Sequence, residues 1–176
     1  MTAKLGLSGF TLVELLITLA VAGVLLTVAV PSYRLLFAHS HNASLTTTLL
    51  ADLRFARSEA LTRGLRVSLC RSADGARCSD QGGWHQGWLV FANPDGDDQR
   101  EKHEPLLRVH RATQSGVRLI GNRYVSSHVD FDSQGFAQGT AGTITACAGA
   151  GIVAAIVIPF SGAVHRDKGD SDACAQ

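Results

Sequence analysis

The chain has 176 residues, 45% of them hydrophobic, with 16 Lys and Arg against 15 Asp and Glu for a formal net charge of +1. That length and apolar content suffice for one globular domain with a core of its own. The balanced charge excludes a strongly basic nucleic-acid-binding chain and an acidic disordered one.

Residues 9 to 33, "GFTLVELLITLAVAGVLLTVAVPSY", form an apolar run interrupted by one carboxylate, Glu14. As a helix, Phe10 to Val30 would cover about 30 Å, the thickness of a bilayer's hydrocarbon core, so residues 10–30 are expected to span a membrane. Lys4 and the amino terminus precede the run, and the positive-inside rule holds that short end in the cytoplasm while the rest crosses. A secretory signal cleaved near Ala20 and Ala22 competes with this reading. It would have to place Glu14 inside its apolar segment and stop well before the run ends.

Ser8-Gly9-Phe10-Thr11-Leu12-Val13-Glu14 resembles the prepilin signature of type IV pilins and type II secretion pseudopilins. The resemblance implies that residues 1–9 are a leader, that a prepilin peptidase cuts between Gly9 and Phe10, and that Phe10 becomes the N-methylated first residue. It also implies that Glu14 meets the new amine of a neighbouring subunit and so sets the register of assembly. The physics agrees: a carboxylate within lipid costs about 2.5 to 3.5 kcal/mol unless a cation neutralises it, and cleavage creates that cation. The implied partners are the peptidase, other major or minor pilins or pseudopilins, and inner-membrane lipid, with the bulk of the chain in the periplasm. A solvated Glu14 favoured by the helix dipole is the plainer alternative.

Pro31 lacks a backbone donor and is expected to kink the rod. Apolar residues then recur at Leu35, Leu36, Leu45, Leu49, Leu50, Leu53, Ala56, Ala60 and Leu61. Their three- and four-residue spacing from Leu49 onward predicts an amphipathic helix over 31–64 that packs on a head, with Gly64 as its stop. Ala38 to Thr48 is polar and a poor helix former, so a break is expected there if anywhere.

Residues 65–176 change character. Short alternating or β-branched runs predict strands at 65–71, 84–91, 106–111, 117–120, 124–131, 143–146 and 152–158, separated by turn formers such as Asp74-Gly75 and Asn93-Pro94-Asp95-Gly96. Such spacing indicates antiparallel sheets. Four cysteines in an exported domain suit two disulfides. Of the three connectivities, Cys70–Cys78 across a short loop, with Cys147–Cys174 tying down the tail, is the first choice. Zinc is disfavoured by the absence of C-x-x-C and by the distance of His85 from Cys78.

"ARSEALTRG" closing the helix, a strand containing "SLC", and "GWLVF" followed by "NPDGDD" resemble the minor subunits grouped as GspH/FimT. These comprise the H-type pseudopilin of type II secretion and the T- and U-type minor pilins of type IV pili. The resemblance implies an α+β pilin-like fold, a long N-terminal helix packed on antiparallel sheets. Some T-type members bind DNA through Gly-Arg-x-Arg on the last strand. The matching stretch here is Ser161-Gly162-Ala163-Val164-His165-Arg166, so Ala163 and His165 replace both arginines. Arg166 falls one place later, on the opposite face of an extended strand. Arg108, Arg111, Arg118 and Arg123, in a stretch without an acid, keep DNA among the possible partners if they share a face. Arginines that solvate a sheet edge are the plainer reading.

No arrangement of nucleophile, base and oxyanion donors stands out, and the histidines, including His39 and His41, lack metal-site spacing. Asp95, Asp97 and Asp98 suggest a calcium loop, but Arg100 stands where an EF-hand needs glycine, and a solvated turn is expected. Trp84 and Trp88, four apart on a predicted strand, share one face and suit a core. The reading is a non-catalytic minor pilin without cofactor or metal that enters or primes a type IV pilus, with a role in twitching or natural transformation. An H-type pseudopilin is the alternative, and a DNA receptor for uptake the third.

Overall fold

The computed structural model describes residues 12–97, 99–112, 116–149, 151–169 and 174, with side chains over 12–26 and from 44 onward except at Val153. The chain divides into two compact units, Met1–His39 and Ser40–Gln176. Helix α1 (Leu12–Arg63) runs without a break, so the polar stretch 38–48 is helical and the break allowed there is not found. Pro31, the expected kink, lies inside this run where side chains fall outside the described residues.

Within the second unit α1 buries Leu45, Leu49, Leu53, Ala56 and Ala60 of the predicted stripe, while Leu50 is half-buried and Leu61 is exposed. Gly64 ends it: at φ +66° it adopts a conformation cheap only for glycine, and its N–H returns to the Ala60 carbonyl at 3.0 Å. Among the described residues eight strands follow: β1 (Val67–Arg71), β2 (Gly87–Ala92), β3 (Leu106–Arg111), β4 (Val117–Gly121), β5 (His128–Phe131), β6 (Gly142–Ala148), β7 (Gly151–Ile158) and β8 (His165–Asp167). They make two four-stranded antiparallel sheets, ordered β3-β2-β1-β5 and β4-β6-β7-β8.

Alternation along the strands sends Val67, Leu69, Trp88, Val90, Val129 and Phe131 of the first sheet into one core. Val117, Leu119, Ile144, Ala146, Ile156 and Ile158 of the second join it, with the α1 stripe. On the other face of the first sheet Cys70, Leu89 and Phe91 pack together with Cys78. Two buried faces explain why β2 reads as the continuous apolar run GWLVFA. Arginines fasten α1 to the head through main-chain oxygens. Arg54 Nε donates to the Val164 carbonyl at 3.2 Å, while Arg57 donates to Gly135 and Ser161 carbonyls at 3.0 and 3.1 Å.

Two strand predictions need correction, and one strand lies where none is predicted. Trp84–Gln86 is a 3-10 turn and not the start of β2, because Gly87 (φ +117°) turns the chain where a Cβ would lie 2.6 Å from the His110 carbonyl. Trp84 therefore does not share a strand with Trp88, although both are fully buried. Asn122–Val125 is a turn closed by the Val125 N–H on the Asn122 carbonyl and the chain bends on through Ser127, so the strand predicted over 124–131 begins at His128. β8 was not anticipated: three exposed residues carry no apolar pattern, and only pairing with β7 makes them a strand.

Candidate functional site

Glu14 stands in the first turn of α1, among Leu12, Val13, Leu15, Leu16, Ile17, Leu19, Val21, Val24, Leu25 and Leu26, each more than half exposed. So large an apolar surface left in water would be costly at about 25 cal/mol per Å2, and it marks a face that calls for apolar neighbours. Gly9 and Phe10 lie outside the described residues. The predicted span 10–30 is only partly described, its side chains ending at Leu26, and among the described residues no helix is long and apolar enough to cross a membrane.

The head carries both disulfides of the favoured pairing. Cys70, on β1, joins Cys78 across the RSADGAR loop, and Cys147, on β6, joins Cys174 of the tail. Asp74 organises the first loop by accepting the N–H groups of Ala76 and Arg77 at 2.8 and 2.9 Å, which holds its carboxyl below the ordinary range.

The five candidate DNA arginines do not converge on one strand or one sheet. Arg108 and Arg111 lie on β3, an edge of the first sheet, and Arg118 on β4, an edge of the second; Arg166 lies on β8 at that sheet's other edge. Arg123 sits in the turn after β4, its guanidinium 4.5 Å from the Tyr124 ring centroid. Arg108 is engaged within the fold. Its Nη1 donates to Asp52 Oδ1 at 2.8 Å and its guanidinium lies 3.6 Å from the centre of the Phe55 ring. His165 and Arg166, in the stretch that departs from Gly-Arg-x-Arg, are exposed.

Asp52 is the residue that the sequence reading missed. It lies on the buried stripe of α1, between Leu49 and Ala56, and is 6% exposed. Its Oδ2 accepts the Trp88 indole N–H at 2.8 Å, and Trp88 stacks on His110 with ring centroids 4.0 Å apart. An acid at a stripe position was the available signal, since a carboxylate is rarely buried without partners.

Asp95, Glu101 and His103 bring ligand atoms within 4.8 Å of one another, but all three are exposed. His103 pairs with Glu101 at 3.0 Å. Asp97 Oδ1 accepts the Gln99 N–H at 2.9 Å, as a solvated turn does, and Asp98 lies outside the described residues.

A family model described as "Type II transport protein GspH" matches residues 45–162, the second half of α1 and most of the sheets. The chain belongs to the GspH family. A second model, the prokaryotic N-terminal methylation motif, matches residues 8–30 of this GspH-family chain, the stretch that carries Gly9, Phe10 and Glu14. Two crystal structures of the Pseudomonas aeruginosa (strain PAO1) type IV minor pilin FimU, in space groups P21 and P65, share the fold at TM-scores of 0.56 and 0.55 with 20% identity. They cover 76% and 74% of this chain and 91% and 94% of their own. No curated protein matches the chain. It joins the fold of that minor pilin, an N-terminal helix on antiparallel sheets, to a methylation motif that implies processing by a prepilin peptidase, membrane anchoring and assembly with other pilins.

Proposed function

We propose that this GspH-family subunit is a non-catalytic minor pilin that enters or primes a type IV pilus. The observation that carries the reading is Glu14, a carboxylate one turn into an exposed apolar helix whose start matches the methylation motif. In this reading residues 1–9 are removed, Phe10 is methylated, and residues 10–30 hold the subunit in the inner membrane. Residues 31–64 then join that anchor to a periplasmic head, residues 65–176. Before extraction from lipid, the Phe10 ammonium of one subunit neutralises Glu14 of the next, which offsets the cost of burying either charge alone.

The family description favours a second reading, an H-type pseudopilin of the secretion apparatus, because the same docking serves both machines. DNA uptake is the third reading. Its support is weakened by the engagement of Arg108 with Asp52 and by the spread of the remaining arginines over separate sheet edges. Mass spectrometry of the protein from membranes tests the common step, and a mature chain that does not begin at N-methyl-Phe10 would reject it. A deletion strain separates the machines: loss of twitching with normal exoprotein secretion identifies the pilus, and the reverse identifies the pseudopilus.

A further inference from the structure

A cleft of about 250 Å3 in the head is lined by residues of both sheets and of the 3-10 turn between them, among them Arg71, Gly82, His85, Arg118, Gly121 and Ser126. Among the described residues no carboxylate lines it. Arg71, the last residue of β1, is only 9% exposed; its Nη1 donates to the Gly82 carbonyl, and its Nε has no hydrogen-bond partner among the described residues. Fixing Nη1 in this way leaves the other edge of the guanidinium, Nε with Nη2, as the fork that matches two oxygens of one oxyanion.

His85 reaches the same cleft from the 3-10 turn. Its Nδ1 accepts the Leu119 N–H at 3.4 Å, so the proton of the neutral ring resides on Nε2 as a donor. Burial holds this imidazole below its ordinary range, and the charge of Arg118 acts in the same direction. Gly83 gives the ring its room, since a Cβ there would come within 2.6 Å of it. Asp80 is near enough for its field to favour the Arg71 charge, yet it does not line the cleft. A buried guanidinium N–H without an acceptor is costly, and an arriving anion removes that cost.

We infer that this cleft receives a single carboxylate presented by a neighbouring protein subunit. The inference rests on the reading of the chain as a filament subunit, whose neighbours are proteins. A polyanion would need a row of phosphate contacts. The cleft instead offers one recessed fork, flanked by Arg118 and an imidazole donor. Its size suits a chain terminus or the end of an Asp or Glu side chain.

The test titrates the full chain in detergent with acetyl-trialanine bearing a free C-terminal carboxylate, the same peptide amidated, inorganic phosphate, and a short DNA duplex. The expected result is saturable binding of the free acid, at least about tenfold weaker binding of the amide, and an upward shift of the His85 titration in the bound state. Arg118→Gln, at an exposed position, keeps the parent's melting temperature and weakens the acid about tenfold; Arg71→Lys, which keeps charge without the fork, also weakens it. Equal binding of acid and amide, no binding of either, preference for phosphate or duplex, or an unaffected Arg118→Gln overturns the inference. None of these outcomes bears on the mature N-terminus, so this failure is distinguishable from failure of the filament reading.

Discussion

The indole N–H of Trp88 donates to Asp52 Oδ2 at 2.8 Å, joining the helix to the second strand of the first sheet inside the core. The other oxygen of Asp52 takes Arg108 from the edge strand, so one carboxylate ties α1 to two strands. Asp52→Ala would strand the buried indole donor, at a cost of about 1 to 3 kcal/mol, with little added by the half-exposed Arg108. Asp52→Asn keeps an acceptor for Trp88 and should cost less. Urea unfolding of both variants checks the order, and equal losses would show that the indole bond is not what matters.

Acid should loosen the head through His110. The ring stacks on Trp88, its Nε2 is buried without a partner among the described residues, and burial holds it below its ordinary range, with the charge of Asp52 opposing. A base whose folded pKa is depressed binds fewer protons folded than unfolded. Stability is therefore complete above about pH 6.5 and falls as pH drops toward the folded pKa. His85, depressed for the same first reason, adds to the loss. His110→Phe keeps the stack and removes one titration. Its urea midpoint should fall less than the parent's between neutral and mildly acid pH, and parallel curves would clear the imidazole.

The two disulfides should differ in weight. Cys70–Cys78 closes a separation of 8 residues and Cys147–Cys174 one of 27. On loop-closure entropy, paired serine replacements would cost roughly 2.5 and 3.5 kcal/mol respectively. Thermal melts of the two double variants give the comparison, and a larger loss at Cys70–Cys78 would mean that its place beside Leu89 and Phe91 outweighs loop length.

Glu14→Ala should leave the head's melting temperature unchanged, because Glu14 belongs to the first of the two units and the core to the second. Incorporation into filaments should nevertheless be lost. Immunoblots of sheared pili or pseudopili against total membranes measure this, and normal incorporation would remove Glu14 from the docking step.

Legibility in the sequence followed the range of the interactions. The stripe from Leu49 to Ala60, the Gly64 stop and the local cysteine pair rest on neighbours a few residues apart, and all three are present in the structure. Trp84 misled because Gly83 and Gly87 let a single turn interrupt what reads as one apolar run. β8 was silent because pairing, not composition, makes it a strand. Arg108 suggested a phosphate contact because Asp52, its partner, lies 56 residues earlier and looks like part of an ordinary helix face. The expected anchor at 10–30 is read from an apolar run and its length alone and is only partly among the described residues, while the cleft around Arg71 draws on three segments that no local pattern connects.

Arg54 and Arg57 grip the head by the carbonyl oxygens of Gly135, Ser161 and Val164, and Gly162, at φ +70°, sits so close that a Cβ would approach the Gly135 oxygen to 2.0 Å. A joint written in peptide oxygens is blind to most side-chain identities around it. Mutational drift can therefore reshape the outward surfaces of these loops, and with them the choice of neighbour, while stalk and cap stay bolted together so long as that one glycine persists.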